Sequence, residues 1–158
     1  MQVCGDLTRL MLVDDTEALR FALGRVLRLY GFDVCEAIDG QDALNHMADF
    51  RPQMVLTDLM MPVMDGIELI RQLHAAPETS DIPVLALTAN ITDEAGESAR
   101  EAGAVDVLSK PIDLPHLLER LRDLPRPAGR KQGAAPVATE PVIGRGSGLG
   151  ICVHRDRN

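Results

Sequence analysis

The sequence predicts a doubly wound α/β fold, a five-stranded parallel sheet in the order 2-1-3-4-5 with helices on both faces. Three observations predict it. Apolar runs and segments of helical period alternate five times over the first 124 residues. Three of the runs, ending at Val13, Thr57 and Thr88, are continuously apolar, as strands covered on both faces are. The other two, 32–37 and 105–107, mix in polar residues, which suits the two edges of the sheet. Right-handed crossovers between parallel neighbours then put helices on both sides.

The elements follow in order. The first strand, 9–13, stops at Asp14 and Asp15, and a helix over 16–30 places Leu19, Leu23, Val26, Leu27 and Tyr30 on one face. After the second strand, Asp39 caps a helix carrying Ala43, Leu44, Met47 and Ala48 that ends before Pro52. The third strand, 54–57, stops at Asp58. Asp65, with Glu68 three residues on, resembles a capping pair for a helix over 67–75, and Pro77 lies just beyond. The fourth strand, 84–87, stops at Thr88. The helix after it, 93–102, has only Ala95, Ala99 and Ala102 to bury, and Gly96 costs about 1 kcal/mol relative to alanine. It should be the least firmly held of the five. The last strand, 105–109, precedes Lys110, and Asp113 caps a helix over 114–124 whose stripe is Leu114, Leu117, Leu118, Leu121 and Leu124. Pro115 falls where an early helical proline is tolerated.

Composition narrows the function. A chain of 158 residues with 46% hydrophobic content can bury one substantial core. No apolar run approaches the roughly 18 residues of a spanning helix, and the first residues lack a secretory stretch. The expectation is a cytoplasmic protein without membrane partners. Cys4, Cys35 and Cys152 are odd in number and have no CxxC spacing, which argues against a disulfide framework. Residues 1–125 carry 10 Lys/Arg against 22 Asp/Glu, a charge of −12, while 126–158 carry 6 against 2, a charge of +4. So acidic a domain is a poor match for direct nucleic-acid binding. The expected organisation is a domain at 8–124 followed by a flexible Pro/Gly/Arg-containing tail, 125–158, with no output domain. Within that tail the glycine-rich segment 144–150 faintly resembles the ATP-lid box of histidine kinases, but the other boxes are absent.

The chemistry is concentrated where the strands end. In an open parallel sheet ligands bind at the carboxyl ends of the strands. Asp14, Asp15, Asp58, Thr88 and Lys110 all fall there. Each alone has an ordinary reading: a helix cap, a strand-end aspartate, a β-branched strand residue, a solvated lysine. Jointly they suit Mg²⁺ and a phosphoryl group. Mg²⁺ takes about six oxygen ligands and usually keeps several waters, so three carboxylates leave room for a phosphate oxygen. Without a cation the cluster repels itself. With one, Asp58 can act as a nucleophile toward phosphorus, while Thr88 donates to a phosphoryl oxygen and Lys110 pairs with another. His46, His74, His116 and His154 share no metal spacing.

Four segments carry a resemblance: Leu12-Val13-Asp14-Asp15, Leu56 to Gly66 (LTDLMMPVMDG), Leu87-Thr88-Ala89-Asn90 and Leu108-Ser109-Lys110-Pro111. Together they resemble the receiver domain of two-component response regulators, a CheY-like family, and those of hybrid sensor kinases in particular. The resemblance implies a flavodoxin-like (βα)₅ fold and phosphoryl transfer onto Asp58 from a histidine kinase or a histidine phosphotransfer protein. It implies Mg²⁺ at Asp14, Asp15, Asp58 and the Met60 backbone carbonyl. Thr88 matches the switch hydroxyl, and Lys110 the family's lysine, with a cis Lys110–Pro111 peptide. The output would be protein–protein contact with a downstream target. One position departs: Val107 stands where the family often carries Tyr or Phe, so a signal would leave mainly through the loop after Thr88 and the fourth helix. Two alternatives were open. A small phosphatase using an aspartyl phosphate, of the haloacid-dehalogenase kind, would want a second acid two residues after its nucleophile. Met60 follows Asp58 at that spacing and Thr16 follows Asp14. A receiver fragment of a hybrid histidine kinase is the other.

Overall fold

The computed structural model describes residues 7–89, 94–125 and 127. Five strands alternate with five helices: β1 (Thr8–Val13), α1 (Glu17–Leu29), β2 (Phe32–Ala37), α2 (Gly40–Phe50), β3 (Met54–Asp58), α3 (Gly66–Ala75), β4 (Val84–Thr88), α4 (Glu94–Ala102), β5 (Asp106–Ser109) and α5 (Leu114–Asp123). The strands form one sheet in the order β2-β1-β3-β4-β5, and all four pairings are parallel. The sheet order and the two edge strands are as the sequence predicts.

The two-residue period of the strands sorts their side chains into two cores. Leu10, Leu12, Leu56, Leu85 and Leu87 face Leu23 and Leu27 of α1 and Leu117, Leu118 and Leu121 of α5. Met11, Val13, Val55, Val84 and Ala86 face Ala43 and Met47 of α2, Leu69, Ile70 and Leu73 of α3, and Ala99 of α4. Large side chains fill the first core, whereas the α4 corner of the second is built from alanine. In α4 only Gly96 and Ala99 are fully buried. That helix buries the least apolar side chain of the five.

Three helices begin as expected. Asp39, Asp65 and Asp113 each accept a hydrogen bond from the backbone N–H three residues on, at 2.8, 2.9 and 3.3 Å. The capping pair at Asp65 is only half made, because the Glu68 carboxylate accepts from Gln72 Nε2 at 3.1 Å instead of reaching back. Tyr30, expected in the core, is half-exposed. It sits past the end of α1, where the chain turns through Gly31 at φ +92° into β2. Val105 is likewise outside β5 and half-exposed. The polar residue within that edge strand is explained by its neighbours. Asp106 lies 2.6 Å from Arg120 of α5 and 4.0 Å from Arg100 of α4, so two helices meet on one carboxylate.

Cys35, buried in β2, is disulfide-bonded, with its partner outside the described residues. This corrects the reading of the three cysteines, which counted them without knowing which come close. Asn90, Asp93, Cys4, Cys152, His154 and the glycine-rich segment 144–150 also lie outside the described residues. Among the described residues no helix is long and apolar enough to cross a membrane.

Gly66 links the fold to the strand ends. Its N–H donates to Leu59 O at 3.0 Å, folding the segment after β3 back on itself. A side chain there would collide with the Asp58 carbonyl and lie 2.9 Å from Leu59 Cα. Backbone cannot yield as a flexible side chain does. Gly66→Ala should therefore cost about 1–3 kcal/mol, lowering the melting temperature by roughly 5–15 °C for a domain of this size. Thermal unfolding followed by circular dichroism checks this, and an unchanged midpoint would contradict the close approach.

Candidate functional site

The ends of β1, β3 and β5 bring four side chains to one place. One oxygen from each of Asp14, Asp15 and Asp58 lies within 4.8 Å of the others. The Lys110 ammonium donates to Asp58 Oδ2 at 3.1 Å and to Asp14 Oδ2 at 3.2 Å. Asp14 and Asp58 are buried and Asp15 is exposed, so the group opens to solvent on one side.

Backbone fixes these groups locally. Asp14 N–H donates to Ala37 O at 3.1 Å, which anchors it to the edge strand. Its Oδ1 accepts from Thr16 N–H at 2.8 Å, the start of α1. Asp58 Oδ1 accepts from Met60 N–H at 3.3 Å. The Thr57 hydroxyl donates to the Asp58 carbonyl at 2.8 Å. Lys110 N–H donates to Thr88 O at 2.7 Å, tying the end of β5 to the end of β4. The Lys110–Pro111 peptide is cis.

Of the residues singled out from sequence, Asp14, Asp15, Asp58 and Lys110 converge. Thr88 lies buried at the end of β4, one residue past Leu87, which is in register with Asp58. Met60 is exposed, and its N–H donates to Asp58 Oδ1. Val107 is buried in the core that α2, α3 and α4 cover.

Electrostatics explains why the cluster is tolerated. Two buried carboxylates so close repel, and the lysine sits between them as the compensating charge. Burial draws the Lys110 pKa down, but the hydrogen bond and charge of Asp58, reinforced by Asp14, outweigh it and hold the value above that of ordinary lysine. Lys110 therefore stays charged through the neutral range. Its stabilising contribution is lost only as pH rises through that raised value.

The donor set is all oxygen from carboxylates, which suits a hard cation such as Mg²⁺ and not a thiolate- or imidazole-loving metal. The family model of the response regulator receiver domain matches residues 10–122. The chain belongs to the response regulator receiver family. Receivers bind Mg²⁺ through an acidic aspartate cluster, and such a cluster is present here. The receiver is 41% identical over 130 residues to the response regulator MprA of Mycolicibacterium vanbaalenii, covering 82% of this chain and 55% of that protein. It is 40% identical over 130 residues to MprA of Mycobacterium avium, covering 82% and 56%. The chain thus spans a little over half the length of these curated relatives. Among solved structures it resembles the chemotaxis protein CheY4 of Vibrio cholerae, with 28% identity and a TM-score of 0.70 over 73% of this chain and 97% of that one. It also resembles the signal receiver domain of a signal transduction histidine kinase from Syntrophus aciditrophicus, with 26% identity and a TM-score of 0.67 over 84% and 99%.

Two features escaped sequence reasoning. Val63, in the loop between β3 and α3, sits at φ +68° and is 86% exposed. A β-branched residue is strained in that region, and nothing in the chain text marks it. The other is Arg20, whose Nη1 donates to the Asp14 carbonyl at 2.8 Å. Its signal was present as Arg20, Gly24 and Arg28 at a spacing of four, on the same side of a helix.

Removing the lysine leaves carboxylates without their counter-charge. In metal-free receiver at pH 7.5, Lys110→Met should lower the melting temperature by roughly 5–10 °C, and millimolar Mg²⁺ should recover much of the loss. Calorimetric scans with and without Mg²⁺ check both parts. A variant as stable as the parent without metal would show that the ammonium does not balance the cluster.

Proposed function

We propose that this receiver accepts a phosphoryl group on Asp58 from the phosphohistidine of a histidine kinase or histidine phosphotransfer protein, and signals through protein–protein contacts. The observation that carries the reading is the convergence of Asp14, Asp15 and Asp58 around the Lys110 ammonium. An Asp58 oxygen forms the new bond to phosphorus as the phosphorus–nitrogen bond to the donor breaks. The departing imidazole nitrogen keeps the electron pair. Lys110, already within reach of Asp58, pairs with a phosphoryl oxygen, and the Thr88 hydroxyl donates to another. Asp14 and Asp15, with Asp58 and the Met60 carbonyl, are the residues that would hold Mg²⁺. When bound, the ion supplies charge neutralisation and polarises the phosphoryl group. Loss of the group to water would make the protein a switch with a finite lifetime, not an enzyme of steady turnover.

The phosphorylated state is favoured to the extent that the phosphoryl group engages Thr88 and Lys110 better in one conformation than the other. Because Val107 has no ring to swing, the response leaves through the segment after Thr88 and through α4, the helix with least to bury. The phosphorelay domain spans 8–124. Its charge of −12 over residues 1–125 supports a partner that is not nucleic acid. A cytoplasmic setting fits this role, and in that reducing compartment the Cys35 bridge would be open. The likeness to a kinase receiver domain favours a second reading, that the chain acts as the receiver portion of a hybrid kinase.

Incubation with acetyl phosphate and Mg²⁺, followed by intact-mass analysis, tests the reaction without needing the cognate donor. The receiver should gain one phosphoryl group, Val107→Tyr should gain it equally, and Asp58→Asn should gain none. A mass gain retained in Asp58→Asn would move the acceptor elsewhere, and steady turnover of an aryl phosphate would favour a phosphatase.

A further inference from the structure

The acidic pair is held from behind by a relay that begins on α1. Every backbone and side-chain oxygen of Asp14 has a recorded partner: Oδ1 takes Thr16 N–H, Oδ2 takes Lys110, and the carbonyl takes Arg20 Nη1 at 2.8 Å. Arg20 is itself largely enclosed, with 14% of its side chain exposed, and its Nε lies 3.7 Å from Glu36 Oε2 in β2. Glu36 Oε1 is held in turn by Arg28 at 3.0 Å, and Arg28 Nη2 donates to Val34 O at 3.1 Å. Between the two arginines, one helical turn from each, stands Gly24. A Cβ there would come 2.6 Å from Glu36 Oε1 and 3.2 Å from Arg28 Nη1. The glycine therefore makes the space in which a β2 carboxylate lies against α1.

We propose that Arg20, steadied by Glu36, is a positioning residue for the cation site: it pins the Asp14–Asp15 peptide so that both carboxylates point at Asp58. The inference rests on the reading that this cluster holds Mg²⁺. The geometry supports a sign. If Arg20 acted only through its charge, it would oppose a divalent cation, and its removal would tighten binding. Held as it is by Glu36, whose other oxygen Arg28 takes, the guanidinium is fixed in place and acts through its hydrogen bond to the carbonyl. Its removal loosens the peptide and weakens binding. Partners that orient metal ligands from behind change affinity by about 10–100-fold when lost.

The test uses Mg²⁺ alone, titrated by calorimetry into the full chain, together with the Mg²⁺ dependence of acetyl phosphate uptake. Arg20→Ala should raise the dissociation constant about tenfold, raise half-saturating Mg²⁺ for uptake in step, and leave uptake at saturating Mg²⁺ unchanged. Amide exchange at Thr16, whose N–H rests on Asp14 Oδ1, should quicken in the metal-free protein. Glu36→Gln should shift Mg²⁺ affinity in the same direction. Arg20→Lys, which can reach the carbonyl or Glu36 but not fork between them, should fall between. Should Arg20→Ala fail to fold by circular dichroism, Glu36→Gln and Gly24→Ala carry the test, since both leave Arg20 in place while removing what steadies it. Unchanged or tighter Mg²⁺ binding in a folded Arg20→Ala or Glu36→Gln protein overturns the inference. Absence of Mg²⁺ binding in the parent protein would instead overturn the reading of the site itself.

Discussion

Two buried aspartates from different strands share one lysine, and the rest of the architecture serves that arrangement. Asp14 and Asp58 are taken out of water by the same packing that builds the sheet, and a charge so treated must be compensated. The Lys110 ammonium, 3.1 and 3.2 Å from the two carboxylates, does this from β5, the far edge of the sheet. The cluster is thereby stable yet electrostatically unfinished. Among the described residues one monovalent cation faces three carboxylates, and Asp15 is open to solvent.

A parallel sheet is what permits this. All five strands run the same way, so their ends collect at one rim, and the residue that follows each apolar run is delivered there without further instruction. Local devices then set the aim. Gly66 lets the chain after β3 fold tightly over the Asp58 carbonyl. The Thr57 hydroxyl donates to that same carbonyl, and Lys110 N–H closes on Thr88 O. Helix α4 stands apart, because glycine and alanine are all it buries. The carboxylate rim thus lies beside a helix that buries little apolar side chain.

Much of this was legible in the chain text because it depends on period and punctuation. Continuous apolar runs marked the central strands, Asp39, Asp65 and Asp113 marked helix starts, and the aspartates and lysine at run ends marked the rim. What was not legible depends on three-dimensional closeness or backbone angle. Tyr30 had the right helical phase but fell beyond the last turn. The Arg20–Glu36 ion pair spans an element boundary, where no fixed spacing announces it. The left-handed Val63 defies local preference altogether, and counting cysteines could not reveal that Cys35 finds a partner. Asp14, Asp15, Asp58 and Lys110 meet because topology alone brings strand ends together. Their supports were missed because those depend on side-chain reach.

The central claim is that the three carboxylates form one divalent-cation centre. Crystals soaked in Mn²⁺, which takes the same oxygen ligands and scatters anomalously, test it most directly. The account expects one anomalous peak bound by Asp14 or Asp15 together with Asp58, at oxygen distances of about 2.0–2.3 Å. A peak bound elsewhere, or none at the strand ends with Lys110 still seated between the carboxylates, would contradict it.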